Sequence, residues 1–249
     1  MFPSRALCRA LAAIALLAQY SRAQTTPEIA RSLQDHSEYV AYSEITRTAD
    51  PEEKREASEK FLDRYKGSRY QSAVEDLYLQ GWQLAAAKTI LAQDDSNLIA
   101  LEIVADTYLQ NEKEPRKLMA YARKILAVLA EQPDQEGFAS VEWTARKALL
   151  TGRAHWMMGA ASIRQHKYER ADKSLRAALP YLKDDSHLLS SALFDLSWAN
   201  YQLGKLADAI RFSKECTLVN GPYQAKAVKR LQEIGAQVAS LNRNQSTAE

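Results

Sequence analysis

Four histidines are the residues of this chain best suited to metal or acid–base chemistry: His36, His155, His166 and His187. Catalytic metal sites and hydrolases carry their ligands and nucleophiles at fixed spacings, and the sequence contains no HExxH, GxSxG, CxxC or Gly-rich phosphate loop. The spacing of His166 and Glu169 crosses a predicted turn, and His187 follows two aspartates in a pattern typical of a polar helix start. A helical metal-dependent hydrolase using His155, His166 or His187 is therefore kept as an alternative. The leading interpretation is a non-catalytic protein that needs no cofactor and no metal.

Cys216 is the other candidate nucleophile. The second cysteine, Cys8, lies in a segment that we expect to be removed, so no intramolecular disulfide is expected in the mature chain. Cys216 occupies a small-residue position of a predicted helix, and no histidine is implied beside it. We therefore expect this thiol to be buried in the core.

Residues 1–23 have the pattern of a secretory signal peptide. Arg5 and Arg9 precede an unbroken apolar run from Ala10 to Ala18, and Ser21-Arg22-Ala23 is a small-x-small cleavage site. The run is too short to span a bilayer, because at 1.5 Å per residue it covers roughly 14 Å of a core about 30 Å thick. The sequence thus predicts an exported protein, cleaved near Ala23, periplasmic if the host is bacterial, with no integral membrane segment after cleavage.

Removal of this leader changes the sign of the net charge. The full chain has 33 basic and 31 acidic residues, a formal charge of +2. The leader holds three arginines and no acid, so the mature chain keeps 30 basic and 31 acidic residues, a net charge of −1. A chain so close to neutrality lacks the broad positive field that nucleic acid or an anionic membrane surface requires. Neither is expected as a partner.

The elements that must position any site are helices. From residue 28 to residue 241 the apolar residues recur with helical spacing, with almost no strand-like alternation, and turn-forming residues interrupt the pattern ten times. Eleven helices in an all-α fold are therefore predicted. The interruptions are Ala49-Asp50-Pro51, Lys66-Gly67-Ser68, Gln80-Gly81, Asp94-Asp95-Ser96, Asn111 to Pro115, Gln132-Pro133-Asp134, Gln165-His166-Lys167, Lys183-Asp184-Asp185, Leu203-Gly204-Lys205 and Asn220-Gly221-Pro222.

A register of small residues repeats in the last third of the chain. Gly159, Ala171 and Ala178 are each followed 38 residues later by another small residue, and Tyr168 is followed at the same interval by Leu206. The equivalents of the three small residues are Ser197, Ala209 and Cys216. Because closely packed helices allow only small side chains where they cross, this register predicts an array of stacked helix pairs.

These positions resemble the tetratricopeptide repeat (TPR), a helix-turn-helix unit with a small residue in its first helix and two in its second. One unit has Gly159, Tyr168, Ala171 and Ala178, and the next has Ser197, Leu206, Ala209 and Cys216. A weaker unit has apolar stripes on two helices, Leu101, Val104, Ala105 and Tyr108 facing Leu118, Ala122, Ile125 and Leu129. The resemblance implies an α-solenoid of antiparallel helix pairs.

The resemblance also suggests how the chain is divided. We expect a signal peptide at 1–23, a helical hairpin at 24–66, TPR-like repeats at 67–221, a capping helix at 222–241 and a disordered tail at 242–249. Residues 70–93 are expected to form a degenerate unit with a shortened turn. The interval of 38 residues exceeds the family's 34, and we expect the extra residues to lengthen the helix after Ala178. On the capping helix we expect Ala227, Leu231 and Ile234 on the apolar side, and Lys226, Lys229 and Arg230 on the other.

In this family the first helices of the units line a concave groove that holds a peptide or a partner's helix. Carried over residue by residue, the resemblance implies six partner-binding residues, Arg153, Trp156 and Arg164 on one first helix and Phe194, Trp198 and Tyr201 on the next. Aromatic and arginine side chains often dominate binding energy. Packing of Trp156 and Trp198 between repeats is the competing interpretation. The positions of the family's carboxylate clamp hold Trp156, Ala160, Ser191 and Asp195, which disfavours chaperone-tail binding.

The function implied by the resemblance is a scaffold or adaptor in the cell envelope that binds a protein or peptide of unknown identity. A purely structural spacer in an assembly is a third possibility, which differs from the first by having no partner in the groove.

Overall fold

The computed structural model describes residues 34–131 and 138–246. Within those ranges the chain forms ten α-helices and one short 3-10 helix, and no β-strand. The all-α fold class is thereby confirmed. The helices are α1 (34–47), α2 (Pro51–Arg64), α3 (Gln71–Gln93), α4 (Leu98–Gln110), α5 (Pro115–Glu131), α6 (Phe138–Arg164), α7 (Tyr168–Ala178), α8 (Ser186–Gln202), α9 (Leu206–Leu218) and α10 (Gln224–Ser246), with the 3-10 helix at Leu179–Tyr181.

One of the predicted interruptions is wrong. The chain continues through Gln80-Gly81 as a single helix, α3, so residues 70–93 are not a helical pair with a shortened turn. Gly81 is buried, and a Cβ added there would lie 2.6 Å from the Cβ of Arg55. This glycine therefore permits close packing of α2 on α3, where the sequence suggested a turn. The predicted signal peptide and the interruption at 132–134 lie outside the described residues.

Helix starts and turns follow local chemistry. The carboxylate of Asp50 accepts hydrogen bonds from the amides of Glu52 and Glu53 at 2.9 and 3.1 Å, which confirms it as the N-cap of α2. Asp185 caps α8 in the same way through the amide of Leu188, at 2.9 Å. Gly204 has a φ of +72°, which explains the glycine at the turn between α8 and α9.

The chain divides into two compact units, Met1–Trp82 and Gln83–Glu249, with the division inside α3. The predicted division between hairpin and repeats was at residues 66 and 67. The first unit has a small core made of Ile45, Phe61, Tyr65 and Val74. Beside this core the rings of Tyr42 and Tyr70 stack with their centroids 4.5 Å apart.

In the second unit, neighbouring helices pack as pairs, α4 with α5, α6 with α7, and α8 with α9, and α10 packs on α9. Two apolar clusters fill this unit. One lies among α3, α4, α5 and α6, and the other among α7, α8, α9 and α10. The eight residues of the predicted facing stripes on α4 and α5 are all buried in the first cluster.

The repeating small residues lie where the helices of a pair cross. A Cβ added to Gly159 would lie 2.4 Å from Leu175, so α6 and α7 are in close contact there. In the next pair, the Ser197 hydroxyl donates to the carbonyl of Ala209 at 3.0 Å, and the Cys216 thiol lies 3.4 Å from the carbonyl of Ser190. The contacts run in opposite chain directions, so these two helices are antiparallel.

The segment after Ala178 differs from its prediction. The α-helix ends there, and the following residues form the 3-10 helix Leu179–Tyr181 in place of a longer α7. Pro180 is the reason, because proline has no amide hydrogen to continue the α-helical pattern and its ring clashes with the preceding turn. At the other end of the unit, α10 continues to Ser246, past its predicted end at Leu241.

Candidate functional site

The six residues predicted to bind a partner lie on α6 and α8, and all six are partly buried. Their contacts extend to α4 on one side and to α10 on the other. We call the surface formed by α6, α8 and α10 around these residues the aromatic face. It contains Trp156, Phe194, Trp198 and Tyr201, and also Asp195, which the resemblance put at a clamp position, with two residues that the sequence did not place there, Tyr223 and Arg230.

Trp156 and Asp195 join α6 to α8. The indole N–H of Trp156 donates to a carboxylate oxygen of Asp195 at 3.0 Å, and the indole ring packs against both apolar clusters of the unit. Burial raises the pKa of the Asp195 carboxyl to about 6, although the bond from Trp156 and the charges of Arg230 and Arg164 act in the opposite direction. Trp156 therefore has a packing role between neighbouring helix pairs.

Arg230 joins α10 to the aromatic rings of α8. Its guanidinium lies 4.0 Å from the ring centre of Phe194 and 4.8 Å from that of Trp198, and it donates to the Phe194 carbonyl at 3.3 Å. Tyr223 stacks on Phe194 with 4.9 Å between centroids, and Tyr201 stacks on Trp198 with 5.9 Å. Burial lowers the pKa of the Arg230 guanidinium and raises that of the Tyr223 hydroxyl. The face thus combines apolar rings with a cation.

The prediction that Arg230 lies on the polar side of the last helix is wrong. Arg230 is three residues after Ala227 and four before Ile234, both buried, so it lies on the same side of α10 as they do. The spacing of Arg230 from Ala227 and Ile234 could have shown its side of the helix from the sequence alone. The pairing of Trp156 with Asp195 had no such signal, because it depends on how α6 and α8 are aligned.

The two remaining predicted residues, Arg153 and Arg164, bind α6 to α4. The guanidinium of Arg164 donates to the carbonyls of Tyr108 and Leu109 at 3.3 and 2.6 Å, where the last carbonyls of α4 lack helical partners. Arg153 forms an ion pair with Asp106 at 2.6 Å. Burial raises the pKa of Asp106 despite this pair. Intramolecular contacts therefore account for both arginines, and a role of either in partner binding stays a prediction.

The residues considered for catalysis are spread over the unit. His155 is partly buried on α6, where burial lowers its pKa, and His166 lies at the next turn with a φ of +56° and Nδ1 2.9 Å from the Tyr168 hydroxyl. His187 is exposed at the start of α8. Among the described residues no three His, Cys, Asp or Glu side chains are grouped to hold a metal ion. Cys216 is buried, and burial raises the pKa of its thiol to about 11.

No described helix is both long enough and apolar enough to cross a membrane.

Comparison with known proteins identifies no family for this chain. No protein-family model matches the sequence, and no curated protein matches it. Among solved structures, the chain is similar to the one titled "Crystal Structure of the Apo Form of RapI", with 14% sequence identity and a TM-score of 0.46. The match covers 84% of this chain and 73% of that chain.

Proposed function

We propose that this chain is an exported TPR-type α-solenoid that binds a peptide or helix of another protein on the aromatic face and catalyses no reaction of its own. The observation that carries the proposal is the arrangement of Trp198, Tyr201 and Arg230. Two stacked aromatic rings lie on α8, which the TPR resemblance assigns to the groove, beside a cation on α10, and all three side chains are partly exposed. Such side chains contribute most to binding when a partner removes them from water.

The sequence supports the remaining parts of the proposal. The buried small residues at the crossings of α6 with α7 and of α8 with α9 fit the repeat, and the first 23 residues fit an export signal. In a bacterial host the compartment would be the periplasm. A partner protein in the periplasm would meet the aromatic face directly.

The test removes exposed aromatic surface without disturbing the core. Trp156 is unsuitable, because its truncation would also leave the Asp195 carboxylate without its hydrogen bond. We therefore choose the double variant Trp198→Ala/Tyr201→Ala, with Tyr78→Ala/Trp82→Ala as matched control, since those two rings also contact each other and Trp82 is 51% exposed.

Each tagged variant is incubated with envelope extract of the source organism, and captured proteins are quantified by mass spectrometry. We expect a specific partner to be lost at least tenfold with the α8 variant and retained with the control, while circular dichroism shows equal helicity for both. Equal capture by the wild-type chain and the α8 variant would refute binding at the aromatic face.

A further inference from the structure

Two adjoining clefts lie away from the aromatic face, where the start of α5 meets the turn between α6 and α7. Their volumes are about 610 and 250 Å³, and they share three lining residues, Arg116, Gln165 and Lys167. We call them together the basic cleft. The other lining residues are Lys113, Glu114, Pro115 and Lys117 in the larger part and Met119, Arg123, Ser162 and Arg170 in the smaller.

The lining of the basic cleft is strongly cationic. It contains six lysines and arginines and one acid, Glu114, whose carboxylate is bound to Lys117 at 2.7 Å. Three guanidiniums, those of Arg116, Arg123 and Arg170, are exposed and form no ion pair with any described carboxylate. The first turn of α5 contains no acid, so no carboxylate within it offsets the positive end of the helix. The local charge contrasts with the near-neutral charge of the predicted mature chain.

The spacing of these cations favours an extended ligand over a single small anion. Arg116, Met119 and Arg123 lie on one side of α5, and the two arginines are separated by two turns, about 10 Å of helix rise. Arg170, on α7, lines the same part of the cleft. A single phosphate could contact some of these arginines but not the whole row of cations along the two adjoining clefts, which an extended ligand can follow. On an extended peptide, carboxylates four residues apart point to the same side and are separated by about 13 Å, a distance that the long side chains of the two arginines can span.

The lining also argues against nucleic acid. Proteins that hold single-stranded nucleic acids combine a positively charged groove with base stacking on aromatic rings, and no aromatic side chain lines the basic cleft among the described residues. Carboxylates suit the guanidiniums well, because an arginine can bind both oxygens of one carboxylate. We propose that the basic cleft binds an extended, carboxylate-rich peptide segment of a protein partner. The site is separate from the aromatic face and does not depend on it.

The proposal is tested with a fluorescently labelled oligoglutamate peptide and the purified mature chain, with anisotropy as the readout. We expect saturable binding that weakens as salt is raised, and no binding of oligoglutamine of the same length. The triple variant Arg116→Glu/Arg123→Glu/Arg170→Glu should bind the peptide at least tenfold more weakly. The matched control, Lys60→Glu/Lys205→Glu/Lys214→Glu, makes the same change in net charge at exposed lysines elsewhere and should lose less than twofold.

Three results would overturn the proposal: no saturable binding by the wild-type chain, equal losses in the two triple variants, or tighter binding of a single-stranded oligonucleotide or polyphosphate than of oligoglutamate. Circular dichroism of each variant confirms that its helicity is unchanged. The Trp198→Ala/Tyr201→Ala variant should bind oligoglutamate as the wild-type chain does. A result that refutes binding at the basic cleft can therefore be told apart from a result that refutes binding at the aromatic face.

Discussion

At the scale of single residues, Asp195 is a carboxyl whose protonation should change close to neutral pH. Burial raises its pKa to about 6, whereas in the unfolded chain it titrates near its ordinary value of about 4. The folded state therefore holds the proton more tightly than the unfolded state does. The contribution of Asp195 to stability is most favourable below about pH 4 and is lost as the pH rises to about 6.

Asp195→Asn removes this titration and keeps an oxygen that can accept from the Trp156 indole. Relative to the wild-type chain, the variant should gain about 2 kcal/mol in free energy of unfolding between pH 4.5 and 7.5. Urea unfolding at the two pH values measures the difference. Arg164, Arg230, Tyr223 and Cys216 also surround this carboxyl and stay in one protonation state over this range, so they do not obscure the result.

Asp208→Asn is the control with the opposite sign. Hydrogen bonds from Arg211 and Arg176 hold the pKa of Asp208 below its ordinary value, so its contribution to stability is present above that value and lost as the pH falls. This variant should therefore lose stability relative to the wild-type chain as the pH rises to about 4, and should show almost no further change between pH 4.5 and 7.5. If Asp195→Asn has the same effect at both pH values, the carboxyl is ionised over the whole range and our account of its burial is wrong.

At the scale of helices, the close contact of α6 with α7 depends on the missing side chain at Gly159. Alanine favours a helix over glycine by about 1 kcal/mol. At this position, however, the added Cβ would lie 2.4 Å from Leu175, which is fully buried and has little room to move. Overpacking of this kind costs about 1 to 3 kcal/mol, so Gly159→Ala should lower the free energy of unfolding despite the gain in helix propensity.

Gly235→Ala separates the two effects, because Gly235 also lies inside a helix but an added Cβ there meets nothing within 4 Å. That variant should be more stable than the wild-type chain by about 0.5 to 1 kcal/mol. Thermal and urea unfolding of both variants give the comparison. A stabilising effect at Gly159 would mean that α6 and α7 are not held in close contact at that position.

The contrast between Gly159 and Gly81 shows how far the sequence could predict these helices. Helical periodicity, the Asp50 cap and the small-residue register were enough to predict the fold class and most of the interruptions, because each depends on residues near one another in the chain. Gly81 was misassigned because a glycine at a turn and a glycine at a helix contact look alike until the neighbouring helix is known. Pro180 is a local signal that α7 ends near Ala178. The prediction of a longer helix was based on repeat length and did not use this proline.

The candidate site was predictable only in part, for the same reason. The repeat register identified the helices α6 and α8 and the aromatic residues along them. The partners of these residues lie on other helices, Asp195 for Trp156 and Arg230 for Phe194, at separations of 39 and 36 residues. Such pairings depend on the relative rotation and shift of the helices, which are set by packing and not by local sequence.

At the scale of the whole molecule, average charge proved a poor guide to local binding chemistry. The mature chain was predicted to have a net charge of −1, which excludes a broad positive field. The same chain concentrates six cations around the basic cleft, and Glu114 is the one acid among its described lining residues. A near-neutral protein can therefore hold an acidic peptide at one place without attracting nucleic acid over its surface.

The division of the chain into two compact units predicts that they unfold separately. The core of the first unit, as far as the structure describes it, is small, and Phe61 is a large aromatic side chain in it that is only 2% exposed. Phe61→Ala should cost about 3 to 5 kcal/mol, which a small unit with few buried residues cannot tolerate. Leu196→Ala is the matched variant in the second unit, where Leu196 is fully buried among α7, α8 and α9.

Hydrogen exchange followed by mass spectrometry distinguishes separate unfolding of the two units from unfolding of the whole chain at once. In Phe61→Ala, protection should be lost from residues 34–82 and kept in α8 and α9, with the boundary inside α3 near Trp82, where the two units divide. Leu196→Ala should weaken protection in the second unit while that of α1 and α2 is retained. Loss of protection along the whole chain in either variant would show that α3 joins the two cores into one cooperative structure. In that case the two cores, which lie on the two halves of α3, would unfold together because the helix is continuous.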